Sequence, residues 1–311
     1  MPRHLLTLLD LGVDGLAELL DRADEMKRFR GRIDHPRPLA GKSIGILMEK
    51  ASTRTRISFE VGIHELGGQP VALAGRDLQI GRDEPLADTA QVLSRYLHGV
   101  VMRTHGHDRI ETLARASQVP VINALTDKYH PCQLLADLMT VREQRPGGLR
   151  GIKVAWVGDG NNMVHSWLLA SALADFELHV ACPAAYAPLP DVVAKADSLG
   201  RGKRVITQDI DAAVRGAHVI TTDVWASMGQ EDEREERQRA FAGYCVGERH
   251  LSLAAPDVMF LHCLPAHRGE EVEAAVIDGP RSRVWDEAEN RLHAQKALLE
   301  LLCSPSGRGN Q

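Results

Sequence analysis

From Ser43 onward the chain alternates short, apolar, β-rich runs with longer stretches of helical periodicity, in two successive series. This alternation is the tightest constraint on the fold. Strand–helix–strand repeats bury their strands in parallel sheets whose crossover helices cover the faces. In the first series, strand-like runs fall near 43–48, 70–74, 100–103 and 120–123, with helical patterns near 13–29, 55–66, 86–97, 108–117 and 131–144. Arg145-Pro146-Gly147-Gly148 then breaks the pattern. A second series opens with Lys153-Val154-Ala155-Trp156-Val157 and continues with strands near 178–182, 204–207, 218–222 and 258–262. A final amphipathic stretch, Glu287 to Leu302, can fold back on either part. The expected fold is α/β: two similar-sized domains, 1–145 and 146–287, each a parallel sheet flanked by helices. Such sheets bind ligands at the carboxyl ends of their strands, which places a cleft between the domains.

A chain of 311 residues suffices for two ordinary domains with substantial cores. Its 37 basic and 42 acidic side chains leave a net charge of −5, which argues against nucleic acid or a polybasic membrane surface as partner. Asp10, Asp14 and Glu18 interrupt the apolar N-terminus, so Met1–Leu20 is neither a signal peptide nor a membrane span. The five cysteines (Cys132, Cys182, Cys245, Cys263, Cys303) are scattered without CxxC spacing, which suits reduced thiols in a cytoplasm. The 14 histidines show no HExxH spacing, and no metal or cofactor is expected.

Chemistry concentrates at strand ends. Ser52-Thr53-Arg54-Thr55-Arg56 follows the apolar run Ser43–Met48 and precedes a helical pattern carrying Ile57, Val61, Ile63 and His64. Backbone N–H groups and the positive end of a helix dipole converge at such a turn. Ser52 can cap, Thr53 and Thr55 add hydroxyls, and Arg54 supplies a planar fork for phosphate oxygens. An N-capped helix with a solvated basic first turn is the plainer alternative. Arg54 and Arg56 stand about 200° apart around a helix. Arg54 is therefore the candidate for an anion and Arg56 for a structural salt bridge.

Gly158-Asp159-Gly160-Asn161-Asn162 resembles a dinucleotide turn but has Met163 where the fingerprint needs its third glycine. Its asparagines suit a helix cap or the polar group of a small ligand. His130-Pro131-Cys132-Gln133 opens a helix with proline at the favoured first position, so His130 and Gln133 overhang one end, either as a polar cap or as donors to a carbonyl. Cys132 suits a small buried apolar residue better than a nucleophile. Arg103 closes the strand Val100-Val101-Met102 and faces either a ligand or a salt-bridge partner. Asp223 opens the loop Asp223–Gly229, where it suits a substrate ammonium group or a turn. His262-Cys263-Leu264-Pro265 ends the last apolar run with a thiol that is either structural or chemically useful.

In this order these segments resemble the aspartate/ornithine carbamoyltransferase family over essentially the whole chain, from Ser52 to Glu289-Asn290-Arg291-Leu292-His293. Asp223…Ser227-Met228-Gly229 and His262-Cys263-Leu264-Pro265 are the parts that resemble its ornithine-directed members. The resemblance implies transfer of a carbamoyl group from carbamoyl phosphate to the δ-amine of L-ornithine, giving citrulline and phosphate, in arginine biosynthesis. It implies that Ser52, Thr53, Arg54 and Thr55 hold the phosphate, and that Arg103, His130 and Gln133 bind the carbamoyl group and bridging oxygen. Gln79 would reach a neighbouring subunit's site in a homotrimer. Asn162, Asp223, Ser227 and Met228 would bind ornithine, with Asp223 on its α-amino end. Cys263, Leu264 and Arg291 would complete the cleft, with Arg103, His130 and Cys263 in catalytic roles. The first domain would bind carbamoyl phosphate, joined by the C-terminal helix 288–311, and the second would bind ornithine. Another amine such as acetylornithine or putrescine, or a catalytically silent regulatory subunit, are the alternatives on the same fold.

Overall fold

The computed structural model describes residues 3–74, 84–226 and 233–304. It divides into two compact units, one of Met1–Met139 with Glu289–Gln311 and one of Thr140–Ala288. Each is built on a parallel sheet with helices on both faces, as the alternation predicts.

The first unit opens with α1 (Gly12–Phe29) and then runs β1 (Ser43–Met48), α2 (Thr53–Glu65), β2 (Gln69–Ala74), α3 (Leu86–Tyr96), β3 (Gly99–Arg103), α4 (His107–Ala116), β4 (Val121–Leu125) and the start of α5 (Pro131–Gln144). Its four strands lie in the order β2-β1-β3-β4. Strand order therefore reverses between β1 and β3, and a polar side chain leaving either strand's carboxyl end overlooks the crevice formed there. Covered on both faces, β3 is buried throughout, which explains why it reads as a continuous apolar run rather than an alternating one. α2 starts where Ser52 accepts the Thr55 amide and stops at Gly67, whose φ of +83° few other residues adopt.

The last helix, α12 (Val284–Cys303), packs on this unit for most of its length. Leu292, Ala294, Ala297, Leu298, Leu299 and Leu302 are buried, and polar residues pin the rest. Arg22 Nε meets Glu300 at 2.6 Å, Lys27 Nζ meets Asn290 at 2.9 Å, and the buried Lys296 meets Glu65 at 2.6 Å.

The second unit continues through β5 (Lys153–Val157), α6 (Asn162–Ala174), β6 (Glu177–Ala181), α7 (Pro190–Asp197), β7 (Lys203–Thr207), α8 (Ile210–Val214), β8 (Val219–Thr222), α9 (Arg234–Ala240), α10 (Glu248–Leu253), β9 (Met259–His262) and α11 (Ala274–Ile277). Its five-stranded sheet has the order β7-β6-β5-β8-β9, so its reversal lies between β5 and β8. α6 is apolar all round and buried from Met163 to Leu173, the pattern of a helix enclosed by its own unit. Among the described residues no helix is long and apolar enough to cross a membrane.

Candidate functional site

In the first unit, the sequence-predicted residues gather at the β1/β3 reversal. Ser52 is the N-cap of α2: its hydroxyl accepts the Thr55 amide at 3.3 Å and donates to the Thr55 hydroxyl at 3.1 Å. Thr53 and Arg54 are exposed on the first turn, while Thr55 is buried. Arg56 points elsewhere and pairs with Glu60 one turn on, at 2.8 Å, in a solvent-facing ion pair.

Arg103 ends β3 and is 4 % exposed despite its charge. His130, at the start of α5, is buried too, and burial pushes its imidazole well below the ordinary range. The positive charges of Arg291, Arg103 and Arg54 push it the same way, so His130 is neutral at pH 7. Three cations around a neutral ring make a site that favours anions. Arg291, carried in by α12, donates to the Gln133 carbonyl oxygen and, at 3.1 Å, to the Thr55 hydroxyl. Gln133 in turn donates to Asp137 at 2.8 Å, which fixes its amide orientation. Cys132 donates to the Asn123 carbonyl at 3.2 Å, and burial pushes its thiol up to about 12. It is a packed thiol and not a nucleophile.

A support that the sequence reading missed lies beneath these residues. The Glu49 carboxylate takes the Thr104 hydroxyl and the Arg109 guanidinium (2.6 Å), and the Glu49 amide donates to the Arg103 carbonyl at 3.0 Å. The carboxyl ends of β1 and β3 are thereby clamped where Ser52 and Arg103 depart from them. The only signal in the sequence is a carboxylate immediately after a buried strand.

In the second unit the candidates gather at the β5/β8 reversal. Asn161 is the N-cap of α6, accepting the amides of Met163 (2.9 Å) and Val164 (3.4 Å), and Asn162 is the first helical residue. The Asn161 side-chain amide also donates to Asp223 at 2.9 Å. The other Asp223 oxygen accepts the Val224 amide at 2.8 Å and the Cys263 thiol at 3.2 Å. Asp223, in sequence either a ligand group or a turn residue, is structurally also the hub joining three strand ends. His262 explains the Cys263–Leu264 backbone. Its Nδ1 accepts the Leu264 amide at 2.9 Å, so Nε2 carries the proton and faces Glu271 at 3.1 Å. Leu264 has φ of +58° and precedes a cis proline peptide.

The second glycine of the dinucleotide-like turn has a packing explanation. A Cβ on Gly160 would lie 2.4 Å from the backbone of Tyr186 and Ala187, so this glycine admits a neighbouring chain segment, to which its amide donates.

Asp223, His262 and Cys263 bring one candidate metal-ligating atom each within 4.8 Å of one another, but these atoms are engaged in the hydrogen bonds above. Gln79, Ser227 and Met228 lie outside the described residues. A cavity of about 440 Å³ between α1 and α12, lined in part by Leu11, Asp14, Leu19 and Leu301, contains none of the candidate residues.

A two-unit α/β chain with a cation-lined helix N-terminus in one unit and an aspartate–thiol pair in the other has the parts of a group transferase. Residues 3–143 match the aspartate/ornithine carbamoyltransferase carbamoyl-P binding domain, and residues 150–302 match the Asp/Orn binding domain of the same family. The chain belongs to the aspartate/ornithine carbamoyltransferase family. It is 53% identical over 300 residues to the ornithine carbamoyltransferase of Halorhodospira halophila, covering 96% of this chain and 98% of that one. It is 52% identical to the anabolic ornithine carbamoyltransferase 1 of Pseudomonas savastanoi pv. phaseolicola, covering 98% of each. The ornithine carbamoyltransferase structure from Pyrococcus furiosus superimposes with a TM-score of 0.92 at 47% identity, covering 97% of both chains.

Proposed function

We propose that this protein transfers the carbamoyl group of carbamoyl phosphate to the δ-amine of L-ornithine, producing L-citrulline and phosphate for arginine biosynthesis. One observation carries the reading: at the strand-order reversal of the first unit Arg291 donates to Thr55 and Gln133, and with the buried Arg103 and with Arg54 it puts positive charge on a buried His130. Ser52, Thr53, Arg54 and Thr55 hold the phosphate, and the N-terminus of α2 adds its dipole. Arg103, His130, Gln133 and Arg291 receive the carbamoyl end.

The amine nitrogen attacks the carbamoyl carbon, and negative charge builds on the carbonyl oxygen. Arg103, the Thr55 hydroxyl and His130 stabilise it, and a neutral imidazole can donate an N–H without first losing a proton. The C–O bond to phosphate then breaks, and the departing phosphate accepts the amine proton. On the second unit Asn162, Asp223, Ser227 and Met228 bind ornithine, Asp223 taking its α-ammonium group, with Cys263 and the Leu264 backbone beside them. A free amine is mostly protonated at pH 7. Activity therefore rises on the alkaline side as the neutral nucleophile becomes available.

The reading extends to a cytoplasmic homotrimer in which Gln79 serves a neighbouring subunit's site. Mixing inactive Gln79→Ala and Arg54→Ala variants regains activity if sites are shared, because some sites then combine an intact Arg54 with a neighbour's intact Gln79.

The deciding experiment is an amine panel (ornithine, acetylornithine, putrescine, lysine) incubated with carbamoyl phosphate and scored for ureido product. Citrulline from ornithine with little product from the others is the expected result. Preference for another amine, or no product from any, overturns the reading.

A further inference from the structure

Arg237 belongs to the charged run Glu231–Arg239. In the structure it is the sole buried residue of α9, 6 % exposed. Its Nη1 donates to Asp159 Oδ2 and to the Trp225 carbonyl, each at 2.9 Å, and its Nε donates to Glu233 at 2.9 Å. The guanidinium carbon lies 5.0 Å from the Tyr186 ring centre, and Trp225 stacks on Phe241, just past the end of the same helix, at 5.9 Å.

The partners of Arg237 give it its meaning. Asp159 stands two residues before Asn161, the cap of α6, and Trp225 stands two residues after Asp223. Asn161 and Asp223 already bond to each other at 2.9 Å. The loops leaving β5 and β8 are therefore joined by two rungs, Asn161–Asp223 at the candidate amine site and Asp159–Arg237–Trp225 behind it. Trp156 Nε1 anchors the second rung from within β5 by donating to the Asp159 carbonyl at 3.0 Å. A lysine could not serve two such acceptors through one planar group.

We propose that Arg237 is a positioning residue for the amine substrate: by holding the Trp225 carbonyl against Asp159 it sets where the Asp223 carboxylate stands relative to the Asn161–Asn162 turn. This rests on the assignment of Asp223 and Asn162 to ornithine. Arg237 touches no substrate. Its loss leaves carbamoyl phosphate binding intact, because those residues belong to the first unit.

An ordinary stabilising ion pair would show the same contacts, and removing one member of a buried pair destabilises a fold whatever its function. Asp159 makes that cost specific: burial, helped by the nearby Asp223 charge, pushes its carboxyl up to about 6 even with Arg237 beside it. The test therefore uses both Arg237→Gln and the double variant Asp159→Asn/Arg237→Gln, in which no uncompensated charge is buried. Citrulline formation is measured in the full-length enzyme with each substrate varied in turn, alongside the melting temperature. In Arg237→Gln, KM for ornithine rises about tenfold, a 1.4 kcal/mol effect, while KM for carbamoyl phosphate stays within about twofold. The double variant regains the melting temperature and keeps the raised ornithine KM. A double variant whose ornithine KM returns to the unsubstituted value overturns the proposal, as does an equal rise in both KM values. Absence of citrulline from the unsubstituted enzyme strikes instead at the functional reading.

Discussion

Cys132 and Cys263 are chemically the same side chain in opposite surroundings, and the proposed site uses only the second. Cys132 is enclosed, donates to the Asn123 carbonyl and has its thiol pushed up to about 12 by burial, so almost no thiolate forms near neutrality. Cys263 is partly exposed beside Asp223, in the group that also holds Asn161. Cys132→Ala should keep kcat/KM within about twofold and cost at most about 2 kcal/mol of stability. Cys263→Ala should lower kcat/KM for ornithine by tenfold or more, since hydrogen bonds to a charged group are worth about 1.5–3 kcal/mol. Steady-state kinetics on the two variants would reverse these assignments if Cys132→Ala were the damaged one. Arg54 makes a cleaner case because it is exposed on its helix turn and its removal exposes no core. Arg54→Ala should lose about 2–3 kcal/mol of carbamoyl phosphate affinity, on the order of a hundredfold, with an unchanged circular dichroism spectrum. Titration calorimetry giving the same affinity for both proteins would remove Arg54 from the phosphate site.

The elements themselves were legible wherever a local pattern sufficed. The apolar run Ser43–Met48 is a strand, Ser52 caps the helix after it, Pro131 opens α5, and Arg56 finds its salt-bridge partner one turn away at Glu60. What local pattern could not supply was pairing at a distance. Arg291 reaches Thr55 across 236 positions, Asn161 reaches Asp223 across 62, and neither approach follows from periodicity. Strand order is equally hidden, because parallel strands joined by crossover helices can lie in several sequences with the same hydrophobic pattern. Gly160 shows the reverse failure, a local pattern with a misleading look. Beside Gly158 it suggests a phosphate turn, yet its missing side chain makes room for the Tyr186–Ala187 backbone. Gly160→Ala must displace main chain, which gives way less easily than a side-chain tip, so a loss of about 3 kcal/mol in urea unfolding is expected. NADH fluorescence should be unaffected by either protein. Undiminished stability of Gly160→Ala would refute the packing explanation.

At the scale of the whole molecule, buried and partly buried histidines tie stability to pH. Burial is the leading cause that lowers His4, His130 and His293 in the first unit, His293 to about 4, and His179, His218 and His250 in the second. A histidine lowered by folding binds its proton more readily in the unfolded chain. Its stability contribution is complete above the unfolded value near 6.5 and is lost as pH falls through the interval below. Between pH 6.5 and 5 a fully buried histidine such as His293 costs roughly 2 kcal/mol by this linkage. Asp159 works the other way, since a carboxyl raised to about 6 gains stability on acidification between about 6 and 4. It belongs to the second unit and partly offsets the histidines there, whereas the first unit holds the two most strongly lowered rings. The four tryptophans, Trp156, Trp167, Trp225 and Trp285, all fall within Thr140–Ala288, so their fluorescence follows the second unit while far-ultraviolet circular dichroism follows both. Between pH 7 and 5 the dichroism-monitored melting temperature should fall further than the fluorescence-monitored one. His293→Asn, which cannot take up a proton, should flatten the dichroism slope. If both signals melt at the same temperature at pH 7 and pH 5, the buried histidines do not govern the acid limb.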